Sequence, residues 1–324
     1  MKPEIVAELS CNHLGSLDRA MALVDDAAKA GADAVKLQVW HHDRMVLDKS
    51  YILPDGPWAG RNLAALYEDA ETPWDWVPQI FNRARANRIE AFASVFDTAA
   101  LAFLEDCGCP RYKIASFELV DTPLIEAVAR TGKPMIISTG MATMGEIGYA
   151  VEAARQGGCT NLTLLKCTSA YPAPPSSIWL PGIDWLQGHF GCNVGLSDHT
   201  QGIGIAIAAV ALGATMIEKH FTLSRSDGGP DAAFSAEPQE LAQLVRECKA
   251  VAQALQVPDV QTSEDPQRRL RRSLYYARDI NAGDTITAQD LCTARPMRGR
   301  YPYEIQSIIG TECKHNVTKN QPVS

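Results

Sequence analysis

The sequence has no long apolar run and no excess of positive charge. No stretch approaches the roughly 18 consecutive apolar residues that a membrane-spanning helix needs. The segment from Met1 to Ala7 leads straight into strand-like sequence without an apolar secretory signal, so we expect a cytoplasmic protein. With 30 Lys and Arg against 38 Asp and Glu, the net charge is −8, which argues against an extended nucleic-acid-binding surface. We therefore expect neither a membrane nor a nucleic acid as a partner.

Two further signatures are missing from the sequence. No Gly-x-Gly-x-x-Gly motif follows the first predicted strand, so nothing indicates a dinucleotide site. The 9 cysteines are scattered and odd in number, and Cys107 and Cys109 are too close together for an ordinary zinc knuckle. We interpret the cysteines as reduced thiols of a cytosolic protein.

What the chain does contain is a repeated pattern of apolar strands and amphipathic helices. The Val- and Ile-rich segments are continuous rather than alternating, which is typical of parallel strands covered on both faces. The predicted strands are Glu4–Leu9, Ala34–Val39, Glu90–Ser94, Arg111–Ala115, Met135–Ser138, Leu162–Lys166, Asn193–Ser197 and Thr215–Lys219. The helix candidates include Leu17–Ala30, Trp74–Ala86, Ala99–Asp106, Leu124–Arg130, Met144–Gln156, Ile203–Leu212 and Pro238–Leu255. This α/β pattern over residues 1–256 predicts a (β/α)8 TIM barrel, with a doubly wound sheet as the alternative.

A second, smaller domain is predicted after the barrel. Residues 257–270 are mostly polar and contain proline, as expected of a linker. The basic run Arg268–Arg272 is either a solvated face or a contact to an acidic partner surface. Residues 271–324 show short strand patterns at Ser273–Ala277, Asp284–Ile286 and Cys292–Arg295. A β-rich unit of this size buries little core of its own, so we expect it to dock on another surface.

The connection after the second predicted strand is unusually long. Residues 40–73 contain Trp-, Pro- and Gly-rich stretches and the helix candidate Leu63–Glu71. Long connections inside compact domains are commonly functional, so we predict a lid here. His41 and His42 lie in this segment, and we interpret them as surface residues.

Polar side chains cluster where the predicted strands end, which is the catalytic face of a TIM barrel. They include Glu8, Lys36, Gln38, Lys113, Ser116, Glu118, Ser138, Lys166, Ser169, Tyr171, Ser197, Asp198 and Lys219. Strands buried on both faces do not end in charged groups without partners for them. Lysines and serine hydroxyls at one face favour a receptor for a phosphate or carboxylate. The pattern equally permits one lysine to be a Schiff-base nucleophile, as in aldolases on the same barrel.

Two histidines occupy matched positions after consecutive predicted strands. His199 and His220 lie one β/α unit apart, so both imidazoles point into the same mouth. Two imidazoles with open positions suit Mn, Fe, Co or Zn and serve Mg weakly, so we predict a divalent metal site. Asp231 leaves the turn Gly228-Gly229-Pro230 after the last strand, where its carboxylate can accept hydrogen bonds from a sugar.

Seven segments form an ordered set of motifs. They are Ala7-Glu8-Leu9-Ser10-Cys11-Asn12-His13, Gly31-Ala32-Asp33-Ala34-Val35-Lys36-Leu37-Gln38, Tyr112-Lys113-Ile114-Ala115-Ser116-Phe117-Glu118, Ser138-Thr139-Gly140-Met141, Lys166-Cys167-Thr168-Ser169-Ala170-Tyr171-Pro172, Gly195-Leu196-Ser197-Asp198-His199-Thr200 and Glu218-Lys219-His220-Phe221-Thr222. In this order they resemble the sialic acid synthase family, which condenses phosphoenolpyruvate with an amino sugar. The segment from Arg271 to Pro296 is similar to that family's antifreeze-like (SAF) β-clip domain. The segments Ala7–Ser10, Trp58–Trp74, Ala115–Glu118 and Gly228–Ser235 are most similar to the pseudaminic acid branch.

The resemblance implies a reaction and a set of site residues. The implied acceptor is 2,4-diacetamido-2,4,6-trideoxy-L-altrose, with phosphate released by C–O cleavage; neighbouring branches use N-acetylmannosamine or the legionaminic acid precursor. The implied catalytic residues are His199, His220, Lys36, Lys113 and Glu118. Those implied for phosphoenolpyruvate are Lys36, Lys113, Ser116, Ser138, Ser169 and Ser197, and those for the sugar are Gln38, Tyr171, Asp231 and Arg295. His199 and His220 would hold Mn or Mg, with Co as a further option.

The resemblance also implies a role for the small domain. Arg295 would reach the sugar from the tail domain of a partner subunit, in a domain-swapped homodimer. Two positions depart from the family pattern, because Leu14 stands where other branches have a polar residue and Val95 where some relatives have a hydroxyl. The candidates for activating water are Glu8, Glu118 and Asp198. A Schiff-base lyase and a sugar- or ice-binding protein without activity remain as alternatives.

Overall fold

The structure is a computed structural model that describes residues 2–256, 264 and 266–324. It divides the chain into two compact units, Met1–Leu255 and Gln256–Ser324. Each unit has its own hydrophobic core. The predicted linker, 257–270, lies largely outside the described residues, because 257–263 and 265 are not among them.

The strands of the first unit form a closed, parallel barrel in chain order. They are β1 (Glu4–Glu8), β2 (Ala34–Val39), β3 (Glu90–Val95), β4 (Tyr112–Ile114), β5 (Met135–Ser138), β6 (Leu162–Cys167), β7 (Asn193–Asp198) and β8 (Met216–His220). Glu8 at the end of β1 lies opposite Lys36 of β2 and opposite His220 of β8. The first and last strands are thus neighbours and leave no sheet edge. The predicted (β/α)8 barrel is confirmed, and the doubly wound alternative is wrong.

Helices lie between the strands and after the last strand of the barrel. They are α1 (Leu17–Ala30), α2 (His42–Met45), α3 (Leu63–Ala70), α4 (Val77–Ala86), α5 (Thr98–Asp106), α6 (Thr122–Ala129), α7 (Met144–Gln156), α8 (Gly182–Phe190), α9 (Gly204–Ala211) and α10 (Pro238–Ala254). α1 and α7 have the predicted bounds because both begin at strong N-caps, Ser16 and the capping box of Thr143 with Glu146. The sequence pattern does not predict α8, because the two glycines of this segment weaken its helical signal. None of the described helices is both long and apolar enough to cross a membrane.

The long connection after β2 is held by its own contacts and by contacts to other loops, among them the loops after β6 and β8. The side chain of Asn62 caps α3 by accepting a hydrogen bond from the backbone N–H of Ala65 at 3.0 Å. The indole N–H of Trp58 donates to the carbonyl of Pro230 at 3.0 Å, and the Trp58 ring lies 5.5 Å from that of Tyr171. These contacts place Trp58 at the face where the barrel strands end, which is the position that the predicted lid requires.

The second unit is a small β structure around its own core. Strands β9 (Ser273–Tyr276) and β10 (Leu291–Ala294) pair antiparallel, and Leu274, Ile286 and Val323 are among the residues of the core. The predicted strand Asp284–Ile286 is wrong as a regular strand. Thr285 makes an isolated bridge to Glu312 instead. The unit otherwise has the small β-rich character that the sequence predicted.

Candidate active site

Four charged side chains meet inside the barrel where its strands end. The Nζ of Lys36 on β2 lies 2.5 Å from Oε2 of Glu8 on β1. The Nζ of Lys113 on β4 lies 3.1 Å from Oε1 of Glu218 on β8, and the Nζ of Lys36 lies 3.9 Å from the same oxygen. Each of the four residues is at most 4% exposed. Charges this deeply buried require partners of opposite charge. Here Glu8 and Glu218 are the partners of Lys36 and Lys113.

The ion pairs shift the pKa values of these groups. Burial lowers the pKa of Lys36, but the carboxylates of Glu218 and Glu8 outweigh it, so that the pKa lies above its ordinary value. For Lys113, burial and the like charge of Lys36 outweigh the attraction of Glu218, and the pKa is lowered. Burial raises the pKa of Glu218, but Lys113 and Lys36 bring it below its usual range. Glu218 is therefore ionised at neutral pH and serves as a counter-ion for both lysines.

Serine hydroxyls surround the lysines. Lys36 donates a hydrogen bond to Ser94 on β3 at 2.9 Å, and Ser197 on β7 donates to Glu218 at 3.1 Å. Ser138, the last residue of β5, is 2% exposed, and its hydroxyl has no hydrogen-bond partner among the described residues. A buried hydroxyl without a partner is costly, so Ser138 is available to donate to a bound ligand.

Two further serines approach each other around Gly140. The hydroxyl of Ser116 accepts a hydrogen bond from the backbone N–H of Gly140 at 3.1 Å. A Cβ at position 140 would lie 2.2 Å from Oγ of Ser169 and 2.8 Å from Oγ of Ser116, so only glycine fits between them. The thiol of Cys167 lies 3.9 Å from the Ser169 hydroxyl, and the charge of Lys113 contributes to lowering the pKa of that thiol. Ser116 and Ser169 therefore lie at the edge of the lysine cluster.

His199 and His220 lie side by side at the ends of β7 and β8, with ring centroids 5.3 Å apart. The Nδ1–H of His199 donates to the carbonyl of Thr168 at 2.9 Å, which leaves Nε2 as the nitrogen with a lone pair. Nδ1 of His220 has no hydrogen-bond partner among the described residues, and Oδ2 of Asp231 lies 3.5 Å away. An ion about 2.1 Å from a nitrogen of each ring can span centroids up to about 6.5 Å apart. The donor set and spacing therefore fit one divalent metal ion.

Aromatic rings form a wall beside the histidines. The ring of Tyr171 lies 4.3 Å from that of His199, 5.5 Å from that of Trp58 and 5.2 Å from that of Phe234. Burial, with the negative charges nearby, raises the pKa of Tyr171 well above its ordinary value, so its phenol keeps its proton. A protonated phenol beside the metal candidates can donate a hydrogen bond to a bound sugar.

Gln38 and Asp231, the other predicted sugar ligands of the first unit, are held by neighbouring polar groups. The amide of Gln38 donates to Oε1 of Glu8 at 3.0 Å, and the hydroxyl of Ser10 donates to Oδ2 of Asp231. Burial raises the pKa of Asp231, but His220 and Ser10 outweigh it and keep the pKa below its usual value. Asp231 is thus an ionised acceptor next to the histidine pair. Arg295 belongs to the second unit and follows β10, and its role stays a prediction.

Glu118 differs from the other acidic residues of this face. Burial raises its pKa to about 7, while the charge of Lys113 acts in the opposite direction. Its Oε2 atom is buried without a hydrogen-bond partner among the described residues. A carboxyl group with a pKa near neutrality can take or give a proton during a reaction.

Three of the strand-end residues face away from this cluster. Lys219 pairs with Asp198 at 2.7 Å and donates to the carbonyl of Thr200, on the side of β7 and β8 opposite to Ser197 and Glu218. Lys166 donates to the carbonyl of Cys167. Because alternate residues of a strand point to opposite faces, a lysine next to an inward residue points outward. The inclusion of Lys166 and Lys219 in the anion receptor is therefore wrong, as is Asp198 as a candidate for activating water.

Glu218, Trp58 and Cys167 belong to the site but were not predicted from the sequence. Glu218 precedes His220 by two residues on β8, so the period of two already indicates that it faces inward. Trp58 lies in the long connection, where no periodicity marks its contact with Tyr171. Burial raises the pKa of Cys167, but the adjacent His199 and other neighbours outweigh it and lower the pKa to about 7. The contact between Cys167, at the end of β6, and His199, just after β7, exists only in the folded chain.

A separate group of metal-ligating side chains lies in the long connection. Within the described part of the chain, the ligand atoms of His41, His42 and Glu71 all lie within 4.8 Å of one another. Among the described residues, no third His, Cys, Asp or Glu forms such a group with His199 and His220, with all ligand atoms within 4.8 Å of one another. A metal on those two histidines therefore needs its other ligands from substrate or water.

The closed barrel, with polar and charged residues at the ends of its strands, has the architecture of TIM-barrel enzymes, whose active sites lie at that face. The chain matches the NeuB family at residues 23–259 and the SAF domain at residues 271–324. It therefore belongs to the NeuB family, the sialic acid synthase family that its motifs resemble.

The chain is similar over nearly its whole length to named relatives. It is 39% identical to the pseudaminic acid synthase of Helicobacter pylori, over 99% of this chain and 96% of that protein. It is 33% identical to the N,N'-diacetyllegionaminic acid synthase of Campylobacter jejuni, over 99% and 98%. The crystal structure of the N-acetylneuraminic acid synthetase of Leptospira borgpetersenii, in complex with citrate, superposes with a TM-score of 0.73 at 33% identity. That alignment covers 82% of this chain and 91% of the other.

Proposed function

We propose that the chain condenses phosphoenolpyruvate with 2,4-diacetamido-2,4,6-trideoxy-L-altrose, forming pseudaminic acid and releasing phosphate by C–O cleavage. The observation that carries this proposal is the buried pair of lysines, Lys36 and Lys113, inside a barrel mouth that also holds His199 and His220. The similarity to the Helicobacter pylori synthase supports the choice of product among the members of the family.

The lysines and serines would hold phosphoenolpyruvate. Two ammonium groups suit the phosphate and carboxylate of this substrate, and Ser138 has a buried hydroxyl available to donate. The six residues proposed for this role are Lys36, Lys113, Ser116, Ser138, Ser169 and Ser197. Holding the substrate in attack geometry can lower the barrier by roughly 7–11 kcal/mol.

His199 and His220 would hold the divalent metal, Mn or Mg, or Co. The fit rests on the 5.3 Å between the ring centroids and on the nitrogen of His220 that has no hydrogen bond among the described residues. When bound, such an ion supplies Lewis-acid polarisation of a carbonyl oxygen, here that of the open-chain sugar. Asp231, next to His220, would then accept hydrogen bonds from the sugar hydroxyl or amide groups.

The sugar would lie between the histidines and the aromatic wall. Trp58 and Tyr171 supply apolar faces, and Gln38 supplies an amide that can turn from Glu8 to the sugar. Arg295 would add a guanidinium from the second unit of a partner subunit, in a domain-swapped homodimer. A guanidinium presents several N–H donors in a fixed plane, so it can donate to a carbonyl and a hydroxyl oxygen of the sugar in a more defined geometry than a lysine ammonium.

In the proposed reaction, C3 of phosphoenolpyruvate attacks the aldehyde carbon of the sugar, whose oxygen takes up a proton from solvent and becomes a hydroxyl, and C2 becomes electron-deficient. Water adds to C2, and the tetrahedral intermediate expels phosphate by breaking the C–O bond. Lys36 and Lys113 stabilise the negative charge on the leaving phosphate. Glu8 and Glu118 are the candidates for taking the proton of the attacking water, and the pKa of Glu118, about 7, suits that role.

A Schiff-base lyase is the second candidate, and the lowered pKa of Lys113 favours it. A lysine with a lowered pKa is more easily the neutral nucleophile that an imine requires. Borohydride added with the keto acid would trap such an enzyme covalently on the lysine. Under the condensation that we propose, borohydride leaves the chain unmodified.

The proposal is tested by phosphate release with a panel of sugars. Purified protein is given phosphoenolpyruvate, one of the 2,4-diacetamido sugars or N-acetylmannosamine, and Mn, Mg or EDTA. We expect phosphate only when both substrates are present, fastest with the L-altrose derivative, and its loss with EDTA. The variants H199A and H220A should lose the activity, whereas H189A, an exposed histidine of α8, should keep it. Fastest release with N-acetylmannosamine or the legionaminic acid precursor would overturn the choice of sugar, and release without any sugar would overturn the condensation.

A further inference from the structure

We propose that His41, His42 and Glu71 form a second metal site, for a divalent cation of the zinc class. The site shares no residue with the proposed catalytic site, because all three residues belong to the long connection after β2. It ties the beginning of that connection to its end.

The geometry of the three side chains fits one small ion. Nδ1 of His42 lies 2.5 Å from Oε2 of Glu71, which also accepts the backbone N–H of His42 at 2.8 Å. One ligand atom from each of His41, His42 and Glu71 lies within 4.8 Å of the other two. The rings of His41 and His42 are stacked, with centroids 4.9 Å apart and 23° between the ring planes. Binding of one ion would turn the rings out of this stack and replace the contact of His42 with Glu71, so that all three ligand atoms face the ion at about 2.1 Å.

The ligand types select the class of metal. Imidazole suits Zn, Cu, Fe and Ni, whereas Mg and Ca prefer sites made of oxygen atoms alone. Two histidines and one glutamate form a recurrent three-ligand set for zinc. The carboxylate of Asp43 lies 3.7 Å from Nε2 of His42 and adds negative charge, although Lys49 pairs with it at 3.0 Å. A water molecule can take the fourth position.

The site has a structural consequence for the catalytic face. His41 and His42 stand at the start of α2, and Glu71 is the C-cap of α3, so an ion there closes a loop of some thirty residues. That loop carries Trp58, whose indole donates to Pro230 and packs near Tyr171. Closing the loop limits the conformations that compete with this arrangement. A bound ion therefore favours the position of Trp58 against the proposed sugar site.

Metal binding is measured first in an H199N/H220N variant, which removes the other candidate site. Equilibrium dialysis against Zn²⁺ with elemental analysis, and the visible absorption of bound Co²⁺, report stoichiometry and geometry. We expect one ion per chain, retained in a further E68Q change on the exposed side of α3 and weakened at least about tenfold by E71Q or H42N. If the double variant does not fold, the wild-type chain should bind one more Zn²⁺ than E71Q does. The site is disproved if E71Q and E68Q bind equally, or if no ion binds beyond those held by His199 and His220.

A second measurement tests the structural consequence. Limited proteolysis within residues 40–73 should slow on addition of Zn²⁺ in the wild-type chain and in E68Q, but not in E71Q. Cleavage that Zn²⁺ leaves unchanged in all three proteins would overturn the role of the site in holding the connection. This readout does not depend on turnover, so failure of the proposed condensation leaves it intact.

Discussion

Lys113 and Glu218 form an ion pair across the interior of the barrel, with Nζ of Lys113 3.1 Å from Oε1 of Glu218. β4 and β8 lie opposite each other in the closed strand order, so the pair bridges the mouth rather than joining neighbours. Glu218 is also 3.9 Å from Lys36 and thus faces both lysines proposed to bind phosphoenolpyruvate. A substrate anion would meet ammonium groups whose charge Glu218 already balances in part.

The first prediction concerns this shared counter-ion. The change Glu218→Gln leaves two buried ammonium groups with a single carboxylate, so the free energy of unfolding should fall by about 3 kcal/mol. Inorganic phosphate should recover part of the loss, because it supplies the missing negative charge. Chemical denaturation with and without phosphate measures both effects. The exposed Glu152→Gln serves as control, and equal stability of the two variants would show that Glu218 is not needed as a counter-ion.

The second prediction separates inward from outward lysines. Hydrogen bonds to charged groups contribute about 1.5–3 kcal/mol, so Lys36→Met or Lys113→Met should raise the KM for phosphoenolpyruvate about tenfold or more. Lys166→Met should leave that KM unchanged, since the Lys166 ammonium donates to the backbone of Cys167 instead. Steady-state kinetics on folded variants decides the matter. A similar rise in KM for Lys166→Met would mean that the lysines act through overall charge alone.

The third prediction uses the raised pKa of Glu118. Because its folded pKa of about 7 exceeds the ordinary value of 4.5, the folded chain binds more protons than the unfolded chain between these pH values. The stability that this group contributes is present below pH 4.5 and is lost as the pH rises through 7. Relative to Glu118→Gln, the wild-type chain should lose on the order of 2 kcal/mol between pH 5 and pH 8. Denaturation curves at both pH values measure the difference.

The role of Glu118 in the reaction has its own readout. If the carboxylate takes a proton from water, turnover of the wild-type chain should rise as the pH passes through about 7. Glu118→Gln should remove that rise while leaving the KM for phosphoenolpyruvate close to the wild-type value. An unchanged pH profile in the variant would move the role to Glu8. In the stability measurement, a difference between the wild-type chain and Glu118→Gln that is the same at pH 5 and pH 8 would contradict the raised pKa of Glu118.

The fourth prediction concerns the second unit. Arg295 and Arg298 are both exposed near the end of β10, and only Arg295 is proposed to reach a partner's site. Arg295→Ala should lower kcat/KM for the sugar by about tenfold to a hundredfold, and Arg298→Ala should not. Sedimentation should find a dimer. A monomer with full activity, or an Arg295→Ala enzyme with unchanged turnover, would refute the domain-swapped arrangement.

Local patterns predicted most of the secondary structure because each depends on neighbouring residues. β2 and β5 match their predicted bounds, and α1 begins at the Ser16 cap. The predicted strand Asp284–Ile286 is wrong because a local pattern does not contain its partner. Thr285 makes only an isolated bridge, to the distant Glu312. Strand pairing is a property of two segments, and the pattern of one segment does not contain it.

The sequence by itself determined the order of strands and helices, the polar residues at the strand ends and the family motifs. The alternation along each strand indicates which residues face the same side, but the tertiary structure decided which residues of different strands meet in one cavity. Lys36 and Lys113 meet Glu218, whereas Lys219 turns outward to Asp198, because closure of the barrel brings opposite strands together and alternation sends neighbours apart. The contact of His42 with Glu71 arises in the same way, since a folded connection joins two ends that its sequence separates.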